Sequence, residues 1–136
     1  VNNANGFWEF TGAGYAVGSG AFVSSSIDAI ADTGTTLLLV DDSVVSAYYQ
    51  KVSGAAYDNT QGGYTFPCSA TLPSFTLGIG SYKAVIPGTY MNYAPASGSG
   101  KSSSTSCSLG RQADIGRFSM LRRSSKQRRD WILNLW

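Results

Sequence analysis

The run Ala29-Ile30-Ala31-Asp32-Thr33-Gly34-Thr35-Thr36-Leu37-Leu38-Leu39 holds a carboxylate between two apolar stretches, followed at once by a glycine and hydroxyls. That order predicts a strand ending at Asp32, with the Gly34 N–H and the Thr35 hydroxyl in reach of its oxygens while Leu37 to Leu39 turn back into a core. Taken alone, Asp-Thr-Gly is also an ordinary turn, so the flanks must decide. Histidine is absent, which excludes Ser-His-Asp and Cys-His triads, His-ligated zinc and histidine pH switching. Any chemistry must therefore rest on carboxylates, hydroxyls, lysine or a thiol. A second candidate, Gly98-Ser99-Gly100-Lys101-Ser102, resembles a phosphate-binding loop but fails as one. Position 95, where its first glycine belongs, is Pro95, and a serine run rather than a helix follows.

The elements that must position Asp32 are mostly strands. The chain has 136 residues, 43% apolar and 13% charged, a balance that fits one folded body and neither disorder nor a membrane protein. No stretch approaches the ~18 consecutive apolar residues of a spanning helix. Gly6 to Tyr15, aromatic and punctuated by Gly12 and Gly14, predicts a hairpin, and Ala21 to Ser26 a short strand. Ser74 to Ile79 alternates so that Phe75, Leu77 and Ile79 share a face; Gly80-Ser81 turns the chain, and Tyr82 to Ile86 returns as a strand. One helix is predicted, capped by Asp41 or Asp42. It carries Val44, Val45, Tyr48, Tyr49 and Val52 at three- and four-residue spacing and is stopped by Ser53-Gly54. Ser97 to Ser108, with seven serines and two glycines, reads as loop. Cys68 and Cys107 admit two readings, unrelated thiols in a reducing compartment or one disulfide in a secreted protein; their turn-rich flanks favour the disulfide.

The longer pattern resembles the pepsin-like aspartic endopeptidases, especially secreted fungal ones. The resemblance spans most of positions 6 to 120. It is carried by Gly6-Phe7-Trp8-Glu9-Phe10 with Gly14-Tyr15, by Ile27 to Leu38, by Val44-Val45-Ser46-Ala47-Tyr48-Tyr49 and by Gly62-Gly63-Tyr64-Thr65-Phe66-Pro67-Cys68. Leu72-Pro73-Ser74-Phe75 and Val85-Ile86-Pro87-Gly88 extend it. Thr35-Thr36-Leu37-Leu38 is similar to the second, C-terminal lobe rather than the first. The resemblance implies a mainly β fold, one lobe of a two-lobed enzyme with one or two short helices. It makes Asp32 one of two catalytic carboxylates, Thr33 a cross-lobe hydrogen-bonding residue, Thr35 a partner of the carboxylate, and Gly34 and Thr36 contacts to substrate backbone. It implies a peptide substrate, no cofactor or metal, an extracellular setting, and Cys107 as the disulfide partner of Cys68.

The chain departs from the family pattern in two ways. There is one Asp-Thr-Gly and no flap tyrosine segment of a first lobe, so the expected product is an incomplete lobe, inactive alone and lacking an N-terminal partner lobe. Val1 to Asn5 likewise read as the interior of a longer chain. After Met120, where the family continues with Phe-Gly-Asp and an apolar strand, Leu121-Arg122-Arg123-Ser124 stands instead. Residues 1–120 balance to −2, whereas 121–136 hold five basic groups and only Asp130, a balance of +4. The chain therefore divides into a lobe-like domain, 1–120, and a basic, aromatic tail, 121–136, expected to stay exposed and leave the lobe's floor open. A nucleic-acid tail is the weaker reading, because Trp131, Ile132, Leu133, Leu135 and Trp136 follow without an amphipathic period; neither nucleic acid nor membrane is expected as a partner. The alternative for the whole chain is a secreted β-rich module binding peptide or carbohydrate through its seventeen aromatic residues.

The tail is expected to be translated out of the family's frame. Leu-Arg-Arg-Ser can be written CTT CGG CGA TCN, and one base later the same bases read TTC GGC GAT, Phe-Gly-Asp. Sequencing the gene is expected to find those codons at 121–124; codons giving neither Phe-Gly-Asp nor a continuing apolar strand in the shifted frame would rule the frameshift out.

Overall fold

The computed structural model describes residues 4, 6, 8–32, 38–59, 63–92, 94–95, 106–108, 120–122 and 130–134; for 32, 94–95, 106–108, 120–122 and 130–134 it describes the backbone alone. Strand β1, Trp8–Val17, pairs antiparallel with β2, Val23–Asp32, from Trp8 opposite Ala31 to Tyr15 opposite Val23. The predicted hairpin inside 6–15 is instead one continuous strand, and Gly12 and Gly14 mark a β-bulge within it. Gly14 takes a φ of 136°, and a Cβ there would overlap the Val23 carbonyl oxygen, so glycine lets β1 bend without leaving the sheet. β3, Leu38–Val40, leads into the helix α1, Asp42–Tyr49, whose N-cap is Asp41. The turn-rich middle carries β4, Ala56–Asp58, and β5, Gly63–Pro67. The hairpin β6, Phe75–Ile79, and β7, Tyr82–Ile86, forms as its alternation predicts. β8, Ala94–Pro95, and β9, Ser106–Ser108, follow, then β10, Met120–Arg122, and β11, Asp130–Asn134.

These strands form two sheets. One is seven-stranded, in the order β10-β3-β11-β2-β1-β6-β7; the other has four strands, β4-β5-β9-β8. The expectation that the tail stands clear of the fold is not what the backbone does. β10 runs parallel to β3, and β11 runs parallel to β2 while bridging β3 at Ile132 and Leu39. Trp131, Ile132 and Leu133 have the aromatic and aliphatic side chains that strands favour, and they enter as the strand that joins β2 to β3.

The core lies between α1 and the large sheet. Tyr48, Phe75, Leu38, Leu77, Met91 and Val40 are its largest fully buried side chains. The predicted helical stripe Val44, Val45, Tyr48, Tyr49 and Val52 is buried throughout, although the helix itself ends at Tyr49. Tyr48 meets Phe75 edge-on at 6.5 Å between ring centroids, and Tyr15 stacks on Phe75 at 6.0 Å. Tyr49 lies over Tyr64 at 4.5 Å and near Phe66 at 6.3 Å, which ties α1 to β5.

The two tyrosines differ in one respect that decides their worth. The Tyr48 hydroxyl donates to the Pro73 carbonyl at 2.7 Å, whereas the buried Tyr49 hydroxyl has no hydrogen-bond partner among the described residues. A buried donor without a partner carries its desolvation cost uncompensated, and removing it relieves that cost. Tyr48→Phe is therefore expected to lower stability by about 1–2 kcal/mol in urea denaturation, and Tyr49→Phe to leave it unchanged or raise it; the reverse order would contradict this. Burial holds both phenols protonated well above the ordinary value of 10.0. The folded state then keeps protons that the unfolded chain releases, so the stabilisation is whole below about pH 10 and falls as pH rises beyond it. Melting temperature followed from pH 8 to 11 should drop at the alkaline end, and less so in Tyr49→Phe.

Candidate active site

β2 delivers the candidate carboxylate. Its sequence Val23-Ser24-Ser25-Ser26-Ile27-Asp28-Ala29-Ile30-Ala31-Asp32 alternates so that Ile27 and Ala29 face the core, 6% and 1% exposed, while Ser24, Ser26 and Asp28 face outward. The strand is held on both sides, by β1 through Trp8 to Tyr15 and by β11 through Asp130 to Asn134. Asp32 is its last residue, with Asn134 as its backbone partner on β11, so the expected strand end falls where the sequence puts it. Of Leu37-Leu38-Leu39, expected to return to the core, Leu38 opens β3 with no exposed surface and Leu39 is half-buried, while Leu37 lies outside the described residues.

Thr33, Gly34, Thr35 and Thr36 lie outside the described residues, and so do the loop readings placed on them. Cys68 sits in the turn directly after β5, and Cys107 is the central residue of β9, paired by register with Phe66. The structure thus brings Asp32 to the end of a strand in the interior of the large sheet, and the two cysteines to one corner of the small one.

A feature that sequence reasoning passed over lies at the opposite end of β2. A polar pocket of about 450 Å³ is lined by Tyr15, Ser25, Ser26, Asp28, Asp41 and Ser43, among others. Asp28 belongs to β2 and Asp41 to the entry of α1, and both are exposed. Asp41 caps the helix through its backbone, whose carbonyl accepts from Val44 and Val45, while its carboxylate makes no capping bond. The alternation of β2 was the available signal for Asp28; nothing in the sequence joined it to Asp41. Among the described residues no group of three or more His, Cys, Asp or Glu is placed to hold a metal ion, and no helix is long and apolar enough to cross a membrane.

The body is mainly β, built around a strand held on both sides that ends in an aspartate, and comparison with known proteins gives its family. The family model for eukaryotic aspartyl proteases matches residues 1–133. Aspergillopepsin-1 of Aspergillus fumigatus and endothiapepsin of Cryphonectria parasitica are each 57% identical over 116 residues, 85% of this chain, and penicillopepsin-3 of Penicillium janthinellum is 55% identical over the same length. In three dimensions the chain is similar to the crystal structure of the aspartic proteinase from Irpex lacteus, with a TM-score of 0.63 over 92% of this chain and 24% identity; the match covers 35% of that protein. This chain belongs to the eukaryotic aspartyl protease family. It spans about 28% of the length of the first two relatives, 28% of aspergillopepsin-1 and 27% of endothiapepsin.

If the extended alternation of β2 is what carries Asp32 to its place, reversing the face of one buried residue should matter more than changing an outward one. Ala29→Asp is expected to unfold the chain or cost about 3 kcal/mol or more by burying an unpaired charge. Ser24→Asp, on the exposed face, should change stability by less than about 0.5 kcal/mol. Urea denaturation of both variants checks the contrast.

Proposed function

We propose that this chain is the C-terminal lobe of a secreted aspartic endopeptidase of the fungal type, contributing Asp32 as one of two catalytic carboxylates and inactive on its own. The observation that carries the reading is the placing of Asp32 at the end of a strand held on both sides within the sheet, in a chain that matches the family over almost its whole length. Peptide hydrolysis by this class needs one carboxylate ionised, to take a proton from water, and a second protonated, to activate the peptide carbonyl. Two acids at close range share one proton because both cannot be charged at once, and their titrations split as a pair. A single Asp-Thr-Gly supplies half of that pair. The other half would come from an N-terminal lobe, with Thr33 bonding across the lobes, Thr35 bonding the carboxylate, and Gly34 and Thr36 holding the backbone of a peptide substrate. No cofactor enters this chemistry. The division into 1–120 and a tail of different origin, 121–136, belongs to the same reading.

An extracellular setting and a Cys68–Cys107 disulfide complete it. Cys68 is disulfide-bonded, and the pairing of Cys107 with Phe66, two residues before Cys68, supports Cys107 as its partner. Closing a loop of this length would constrain the unfolded chain by roughly 4 kcal/mol in the entropic account.

Two measurements test the proposal. Purified chain should show no pepstatin-sensitive cleavage of a fluorogenic peptide at acidic pH; cleavage that Asp32→Asn abolishes would overturn the claim of inactivity. Thiol titration of the unreduced, denatured chain should find no free thiol, and finding two would remove the disulfide.

A further inference from the structure

We propose that Trp8 is the anchor through which this chain docks a second lobe, the one carrying the carboxylate that pairs with Asp32; the proposal rests on the reading of Asp32 as one of two acids. The placing of Trp8 comes from register. β1 and β2 pair with Trp8 opposite Ala31 and Phe10 opposite Ala29, and opposed residues of an antiparallel pair share a face. That face is the core face: Ala29 is 1% exposed, and Phe10 packs against the buried cluster. Two residues back along β1 and on the same face, Trp8 is 67% exposed. The apolar row thus runs out of the core and ends in an indole that the chain itself leaves mostly in water.

Single exposed apolar side chains are ordinary on a protein surface, so position decides what this one does. The other large apolar side chains exposed among the described residues are Val23, Tyr57, Tyr82, Val85 and Tyr90. Val23 begins β2, at the end remote from Asp32, and Tyr57 is on β4 in the small sheet. Tyr82 and Val85 are on β7, two strands beyond β1, and Tyr90 follows β7. Only Trp8 of these six stands where β2 gives out at Asp32. It is level with Ala31, so its α-carbon lies about 6 Å from that of Asp32, one strand spacing across and one residue along. Two carboxylates that share a proton stand about 3 Å apart. A body that brings its acid that close to Asp32 must lie against this end of the sheet, and there the indole is the large apolar surface offered to it. Tryptophan suits the task, giving about 200 Å² of rigid contact area and being enriched among the residues that dominate interfaces. The partner's facing surface is an apolar recess beside its own carboxylate, with an oxygen placed to accept from the indole N–H. Because Trp8 and Asp32 belong to paired strands, seating the indole also sets where the second acid stands relative to Asp32.

Titration calorimetry of the full chain against a separately produced N-terminal lobe of a fungal aspartic endopeptidase tests this. Trp8→Ala should raise Kd about 30-fold or more. Tyr82→Ala, which removes an equally exposed ring (69%) elsewhere on the same sheet, should leave Kd within about two-fold. Hydroxyl-radical footprinting of the unsubstituted chain gives a second reading that no folding defect of a variant can confound. Peptide mass analysis should find Trp8 oxidised several-fold more slowly once the lobe is added, with Tyr82 unchanged. An unchanged Kd for folded Trp8→Ala, equal weakening by both variants, or a Trp8 left unprotected in the complex would overturn the proposal while the two-lobe reading stands. No association of the unsubstituted chain at all would overturn the two-lobe reading and this proposal with it.

Discussion

The backbone ladder that holds β2 between β1 and β11 is the constraint on which the rest of this molecule depends. On one side the antiparallel register with β1 fixes which face of β2 is buried, since a slip by one residue would turn Ile27 and Ala29 outward and Asp28 inward. On the other side the parallel register with β11 runs from Asp28 to Asp32 and carries the ladder to the strand's last residue. An aspartate at the end of an interior strand has its backbone placed by the sheet, and such placement is what the proposed two-carboxylate chemistry would require.

The same constraint bears on the proposal that this chain carries half of a site. The interior residues that support β2, namely Leu38, Val40, Phe75, Leu77 and Tyr48, form a core within this one body. On the proposed reading, a lobe holds its own aspartate in place, while the shared proton of a catalytic pair needs a second carboxylate at close range. This chain spans about 28% of the length of such relatives as aspergillopepsin-1 of Aspergillus fumigatus. Fold and family are therefore properties of the chain, and hydrolysis is proposed as a property of the pair.

Much of this was legible in the residues, and the exceptions have physical causes. The helix was readable because its apolar positions recur with a period that only one side of a helix can satisfy, and the β6–β7 hairpin because alternation and Gly80-Ser81 agree. Asp32 was legible as a strand end from the apolar run before it and the glycine after it. The continuous β1 was not, because Gly12 and Gly14 look like turn residues until the close approach of Val23 and Ile27 shows that they serve a bulge. Asp28 and Asp41 are thirteen positions apart in sequence and meet only because β3 brings the chain back, so no local pattern could have joined them. The tail misled most. Its charge argued for exposure, whereas Trp131 to Leu133 supply a strand, and pairing is decided by those few residues rather than by the net charge around them.

A frameshifted segment that still enters the sheet would show how little a sheet asks of such a strand: an apolar run of the right length. Whether the lobe so completed is catalytically competent is a separate matter, and it rests on Asp32. The most direct test mixes the purified chain with a separately produced N-terminal lobe of a fungal aspartic endopeptidase and measures pepstatin-sensitive cleavage of a peptide at acidic pH. Activity that needs both parts and disappears with Asp32→Asn is the result expected; activity of the mixture that survives Asp32→Asn would contradict the assignment of Asp32 to the catalytic pair.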